Sequence, residues 1–159
     1  MCKNYKGDIH ISTGMTTSKE VDSIINFIDY RKSLKRVVLY SCTSAYPAEL
    51  EDVKLLDITN LKEKYGKYLK FIGFSGHHKG VAIDSAAVAL GANWFERHFT
   101  FDRTAKGTDH AASLEIDGLS KLRGRLDDTN RALNYKPKKI LEKETFQRKY
   151  LKKVVRLKN

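Results

Sequence analysis

Short β-branched runs alternate along the chain with segments whose apolar residues recur at helical spacing, and polar loops separate them. That alternation predicts βα units, because side chains on a strand repeat every second residue whereas a helix returns to one face about every 3.6. The first strand is read from Asp8 to Thr13. Thr17-Ser18-Lys19-Glu20 then has the spacing of a capping box, and Val21, Ile24, Ile25 and Ile28 fall on one helical face. A second strand is read from Arg36 to Thr43, ending before Pro47, and a helix buries Leu55, Ile58 and Leu61, with Gly66 expected to supply the left-handed residue that closes it. The third strand runs from Leu69 to Ser75, and after Gly80 a helix carries the stripe Ile83, Ala86, Ala87 and Leu90. The fourth runs from Asn93 to Thr100, with a long polar loop and a helix from near Asp117 that carries Leu119, Leu122 and Leu126.

Strands alternating with helices imply a parallel sheet, since parallel neighbours need a crossover and a helix is the usual one. A closed eight-stranded barrel takes about 250 residues, and the chain has 159. The expected fold is therefore α/β: a partial TIM barrel, a half-barrel of four βα units with parallel strands. Residues 1–135 form the barrel part, and residues 136–159 form a basic helical extension.

At 41% apolar residues, the chain can bury a core. No apolar run approaches the roughly 20 residues of a bilayer span, and the beginning Met1-Cys2-Lys3-Asn4 lacks the pattern of a secretion signal, so the reading is cytoplasmic and without a membrane. Two cysteines, Cys2 at a loose terminus and Cys42 in an apolar run, argue against a disulfide framework; Cys42 is read as a buried, inert thiol. The formal charge of +11 is concentrated late, where Lys136, Lys138, Lys139, Lys143, Arg148, Lys149, Lys152, Lys153, Arg156 and Lys158 face only Glu142 and Glu144. A solvated basic helix accounts for that run better than a nucleic-acid site does; an RNA-binding module would rest on the tail alone.

Polar residues gather at the C-terminal strand ends, where α/β folds assemble their sites. In Phe95-Glu96-Arg97-His98-Phe99, Glu96 and His98 share a face, and Arg97 on the other face calls for water or a carboxylate partner that the sequence does not name. Ser75 and His77 repeat that spacing, so two successive units each project a histidine toward one rim. Two imidazoles there can bind a divalent cation and leave positions open for water or a carbonyl oxygen. Glu96 fits either a partner that orients a histidine or a general acid/base. Asp109, in the loop Lys106-Gly107-Thr108-Asp109-His110, fits either an acceptor for substrate hydroxyls or a turn residue; Ser12, Ser44 and Ser75 could donate to an anion. His10, His78 and His110 are read as hydrogen-bonded structural residues.

Taken in order, Ile11-Ser12-Thr13-Gly14-Met15, Cys42-Thr43-Ser44-Ala45-Tyr46-Pro47, Glu51-Asp52-Val53, Gly73-Phe74-Ser75-Gly76-His77, Ala89-Leu90-Gly91-Ala92, Glu96-Arg97-His98-Phe99-Thr100 and Gly107-Thr108-Asp109-His110 resemble the sialic acid synthase family from about Asp8 to Leu133. The ending near Gln147-Arg148 resembles members without the antifreeze-like domain. The resemblance implies a TIM barrel that condenses phosphoenolpyruvate with N-acetylmannosamine, or a related or phosphorylated sugar, to a nine-carbon sialic acid. It implies that His77 and His98 bind Mn2+ or Mg2+, that Ser12, Ser44 and Ser75 lie near phosphoenolpyruvate, that Glu96 handles a proton, and that Tyr46 and Asp109 lie on the sugar side. Ser44 stands where many members carry asparagine and Gly76 where many carry aspartate; both bear on the identity of the sugar. The family's first four βα units, with the lysines that neutralise phosphoenolpyruvate, have no counterpart in these residues. The expected partners are phosphoenolpyruvate, an N-acylated hexosamine, and either a separate N-terminal half-barrel or a second copy of the chain. The alternative is an inactive barrel fragment that acts as an oligomerising or binding module.

Overall fold

The structure, a computed structural model, describes residues 5–137 and 139–153. Cys2 and the tail cations Lys138, Arg156 and Lys158 lie outside the described residues. Strands β1 (Ile9–Ser12), β2 (Val37–Cys42), β3 (Phe71–Gly76) and β4 (Trp94–Arg97) form one parallel sheet in that order. Helices α1 (Ser18–Tyr30), α2 (Asp57–Tyr65), α3 (Ala82–Leu90) and α4 (Ile116–Ala132) each follow a strand, and α5 (Glu142–Leu151) closes the series. These are the four βα units of a half-barrel. No helix among the described residues is long and apolar enough to cross a membrane.

Alternation along the strands divides the sheet into two faces. Val21, Ile25 and Ile28 of α1, Ile58 and Leu61 of α2 and Ala87 of α3 pack on Val37, Leu39, Ile72 and Phe74 to make the core. The opposite face corresponds to a barrel lumen, and its register aligns Ser12 with Tyr40, Cys42 with Ser75 and Ser75 with Glu96. Tyr40 lies across Gly73 on that face, where an added Cβ would stand 2.5 Å from the ring. Residues near the fourth strand remain open to solvent there, including Trp94 and Glu96.

Helix α1 starts at the expected capping box: Glu20 N donates to Thr17 Oγ1 and Thr17 N donates to the Glu20 carboxylate. The expectation for Gly66 does not hold, since its φ is −56° and α2 ends there in right-handed geometry. Glycine is needed for space instead, because a Cβ would collide with the Lys62 carbonyl oxygen. Left-handed closure occurs at Gly91, φ +105°, at the end of α3. The fourth strand is shorter than expected because its continuation pairs elsewhere: Leu114 N donates to His98 O and Thr100 N to Leu114 O, so the chain returning from the loop takes over the ladder. On α4 only Leu122 is buried, and Leu119 is left half-exposed.

The stripe on α3 is also displaced. Ala86 is exposed, whereas Asp84 is wholly buried beside Ala87 and Val88. The cause is Arg97. Its guanidinium, itself buried on the helix-facing side, donates to Asp84 Oδ2 at 2.6 Å and to the carbonyl oxygens of His78 and Gly80 at 2.7 and 2.9 Å. His78 Nε2 lies 3.3 Å from the same Asp84 oxygen. Gly76 is on this face too, 3.1 Å from Arg97 Cδ when a Cβ is added. It therefore makes room for the buried cluster rather than touching a ligand in the lumen. Replacing Asp84 with alanine leaves a buried cation without its counter-charge and is expected to lower the unfolding free energy by about 3–5 kcal/mol. Urea denaturation followed by circular dichroism measures that loss; a change below about 1 kcal/mol would mean that the guanidinium is satisfied without the carboxylate.

Candidate functional site

The two histidines predicted from strand parity meet. His77 follows the last residue of β3, His98 follows the last residue of β4, and their ring centroids are 5.1 Å apart at an interplanar angle of 86°. Tyr46, from the loop after β2, lies against both, with centroid distances of 4.3 Å to His77 and 5.4 Å to His98. The Tyr46-Pro47 peptide bond is cis. Glu96 projects from β4 two residues before His98 and accepts a 3.3 Å hydrogen bond from Ser75 Oγ.

The tautomer of His77 follows from its partner. Nδ1 lies 2.7 Å from the Thr43 carbonyl oxygen. A carbonyl only accepts, so Nδ1 carries the proton in neutral His77 and the Nε2 lone pair is free for a cation. His98 Nδ1 is 3.6 Å from Asp109 Oδ2, which places that carboxylate where it can orient the second ring. Asp109 Oδ1 also accepts from the Thr108 hydroxyl. The Asx turn in this loop belongs to Asp102, whose Oδ1 accepts from Thr104 N and Oγ1. Among the described residues no three His, Cys, Asp or Glu side chains group as a metal site. Two imidazoles are too few for a closed four-ligand centre, and a cation held by them would take its other positions from water or substrate.

Ser12 and Ser44 flank Gly14, whose φ is +35°; an added Cβ would lie 3.0 Å from Ser44 Oγ and 3.8 Å from Ser12 Oγ. Hydroxyl donors therefore collect at the β1 and β2 ends, and imidazoles, Tyr46 and Asp109 at the β3 and β4 ends. The remaining histidines are hydrogen-bonded: His10 to the Tyr40 hydroxyl at 2.7 Å and His110 to the Thr100 hydroxyl at 2.7 Å, while His78 belongs to the Arg97 cluster.

Cys42 departs from the inert-thiol expectation. It is only partly buried, faces the lumen, and has Sγ 4.0 Å from His77 Nδ1. Burial pushes the thiol up, but hydrogen bonds with His77, Ser12 and Ser75 outweigh it and bring the pKa down to about 7. The Cys42 contact in turn raises the pKa of His77 against the opposing effect of burial, with help from the Thr43 carbonyl and the Glu96 charge. The apolar look of Val37-Val38-Leu39 concealed this; the available signal was that Cys42 stands two residues after Tyr40, on the same face. A lowered thiol pKa contributes stability that is fully present above the unfolded thiol's value and is lost as pH falls through about 7. The raised imidazole works in the opposite sense, its contribution fading as pH rises through the elevated value. In a Cys2→Ser background without metal, iodoacetamide should alkylate Cys42 with a midpoint near pH 7, and His77→Ala should move that midpoint upward. A midpoint that His77→Ala leaves in place would show that the imidazole does not act on the thiol.

The NeuB family model matches residues 1–138. The chain is 41% identical over 134 residues to the N-acetylneuraminate-9-phosphate synthase of Homo sapiens, covering 82% of this chain and 35% of that protein. It is 36% identical over 138 residues to the N,N'-diacetyllegionaminic acid synthase of Campylobacter jejuni, covering 86% of this chain and 40% of the relative. It thus spans little more than a third of the length of these curated relatives. Among solved structures, the N-acetylneuraminic acid (sialic acid) synthetase of Leptospira borgpetersenii in complex with citrate superposes with a TM-score of 0.76 at 31% identity, covering 91% of this chain and 50% of that one.

Proposed function

The chain belongs to the NeuB family, and from that premise we propose that it supplies the carbonyl-activating half of a sialic-acid-synthase-like site. The substrates proposed are phosphoenolpyruvate and N-acetylmannosamine or a related N-acylated hexosamine. The observation that carries this reading is the meeting of His77 and His98 at one rim with Glu96 on the same strand face. In the reaction, the methylene carbon of phosphoenolpyruvate bonds to the sugar aldehyde carbon, the aldehyde oxygen gains a proton, water adds to the former enol carbon, and phosphate leaves.

Each group has a distinct task. His77, oriented by Thr43 O, and His98, oriented by Asp109, would hold a divalent cation, Mn2+ or Mg2+. Such an ion supplies Lewis-acid polarisation of a carbonyl oxygen. Glu96 stands at the strand end for proton transfer, steadied by Ser75. Ser12 and Ser44 donate to the anionic substrate, Ser75 donates its hydrogen bond to Glu96 beside them, and Tyr46 and Asp109 contact the sugar. The open strand edges of β1 and β4 support completion of the barrel by a further half that brings cations for the phosphate group.

The test mixes the purified chain with an N-terminal half-barrel from a relative, both substrates and Mn2+, and follows the nine-carbon 2-keto acid and phosphate by mass spectrometry and colorimetry. Product should require both halves. His98→Ala should lower turnover by about 100-fold or more, the loss of several kcal/mol of charge stabilisation. Unchanged turnover would remove His98 from the site, and product from the chain alone would overturn the need for a second half.

A further inference from the structure

We propose that Arg97, held by Asp84, is a positioning residue that fixes the spacing between the His77 and His98 rings from behind the sheet. The inference rests on the reading of those rings as a cation site only for its consequence in ion binding.

Arg97 lies between Glu96 and His98, so its backbone is shared with both rim residues of β4. Its Nη2 donates to the carbonyl oxygens of His78 and Gly80, in the segment that leaves β3 immediately after His77. One guanidinium therefore ties the end of the fourth strand to the end of the third, beyond the last ladder pair, Gly76 with Arg97. Past that pair the strand ends part, His77 O accepting from Ala48 N and His98 O from Leu114 N, so the guanidinium is a direct link from one strand end to the other.

Asp84 completes the device. It stands in the first turn of α3 and accepts from Arg97 Nη1 at 2.6 Å, which fixes the plane of the fork while Nη2 spans the two carbonyls. The planar fork offers Nη1 to the carboxylate and Nη2 to the two carbonyls, and a lysine, with one nitrogen, cannot occupy both positions. The cluster is poorly built for stability alone: His78 Nδ1, Asp84 Oδ1 and Arg97 Nε are buried without a hydrogen-bond partner. Apolar residues of similar size would serve a purely structural role as well or better. What they would not supply is the bridge from one rim to the other.

Two variants of the full chain test this. Arg97→Lys keeps the charge and the pairing with Asp84 but cannot reach both carbonyls. The double change Asp84→Leu with Arg97→Met removes the pair without leaving a lone buried charge. In the metal-free chain, nuclear Overhauser contacts between the His77 and His98 ring protons should be present, and both variants should lose them while melting near the original temperature. Their Mn2+ affinity, read from the free-ion electron paramagnetic resonance signal, should fall by about 10–100-fold, the usual cost of losing a group that orients metal ligands. Retained ring contacts in the folded variants overturn the proposal; if the double variant does not fold, Arg97→Lys decides. If His98→Ala leaves Mn2+ binding unchanged, the cation reading fails, while the ring contacts still judge the clamp.

Discussion

Side-chain alternation across a single parallel sheet is the constraint on which this structure depends. Each strand must offer one face to the helices and the other to the lumen, and a slip of one residue would exchange the two sets. Val37, Leu39, Ile72 and Phe74 pin the register through the core. Because that face is fixed, Ser12, Cys42, Ser75 and Glu96 are fixed on the other. The chemistry at the rim is thus a consequence of apolar packing on the opposite side of the sheet, and it needs no separate driving force.

The strand ends are where this determinism weakens. Ladder hydrogen bonds stop at Gly76 and Arg97, yet the two imidazoles lie one residue further along each strand. Beyond that point, contacts outside the ladder decide geometry: Thr43 O and Ala48 N for His77, Leu114 N and the Asp109 carboxylate for His98, and Tyr46 against both rings. Arg97 reaches across from behind to join the two ends. A rim assembled this way keeps its rigid support in the sheet while its outer edge stays open.

Much of this was legible from residue order because it is local. The capping box at Thr17 and Glu20, the four βα units, and the shared faces of Ser75 with His77 and Glu96 with His98 all follow from spacing within a few residues. What escaped depends on contacts between distant elements. Asp84 sits where a helical stripe calls for an apolar residue, and only the packing of α3 on β4 reveals that it answers Arg97. Cys42 looked like core because its neighbours are; its thiol proved to face the serines and His77. Gly66 carries the usual signal of a left-handed cap, yet its role is clearance for the Lys62 carbonyl. The early end of β4 was invisible for a similar reason, since Leu114 competes for its hydrogen bonds from across a loop.

The central claim is that two imidazoles from neighbouring strand ends share one cation. Anomalous diffraction at the manganese edge, from crystals of the chain equilibrated with Mn2+, tests it most directly. A single strong peak is expected within bonding distance of Nε2 of both His77 and His98. A peak bound to only one of them, or density confined to other carboxylates, would contradict it.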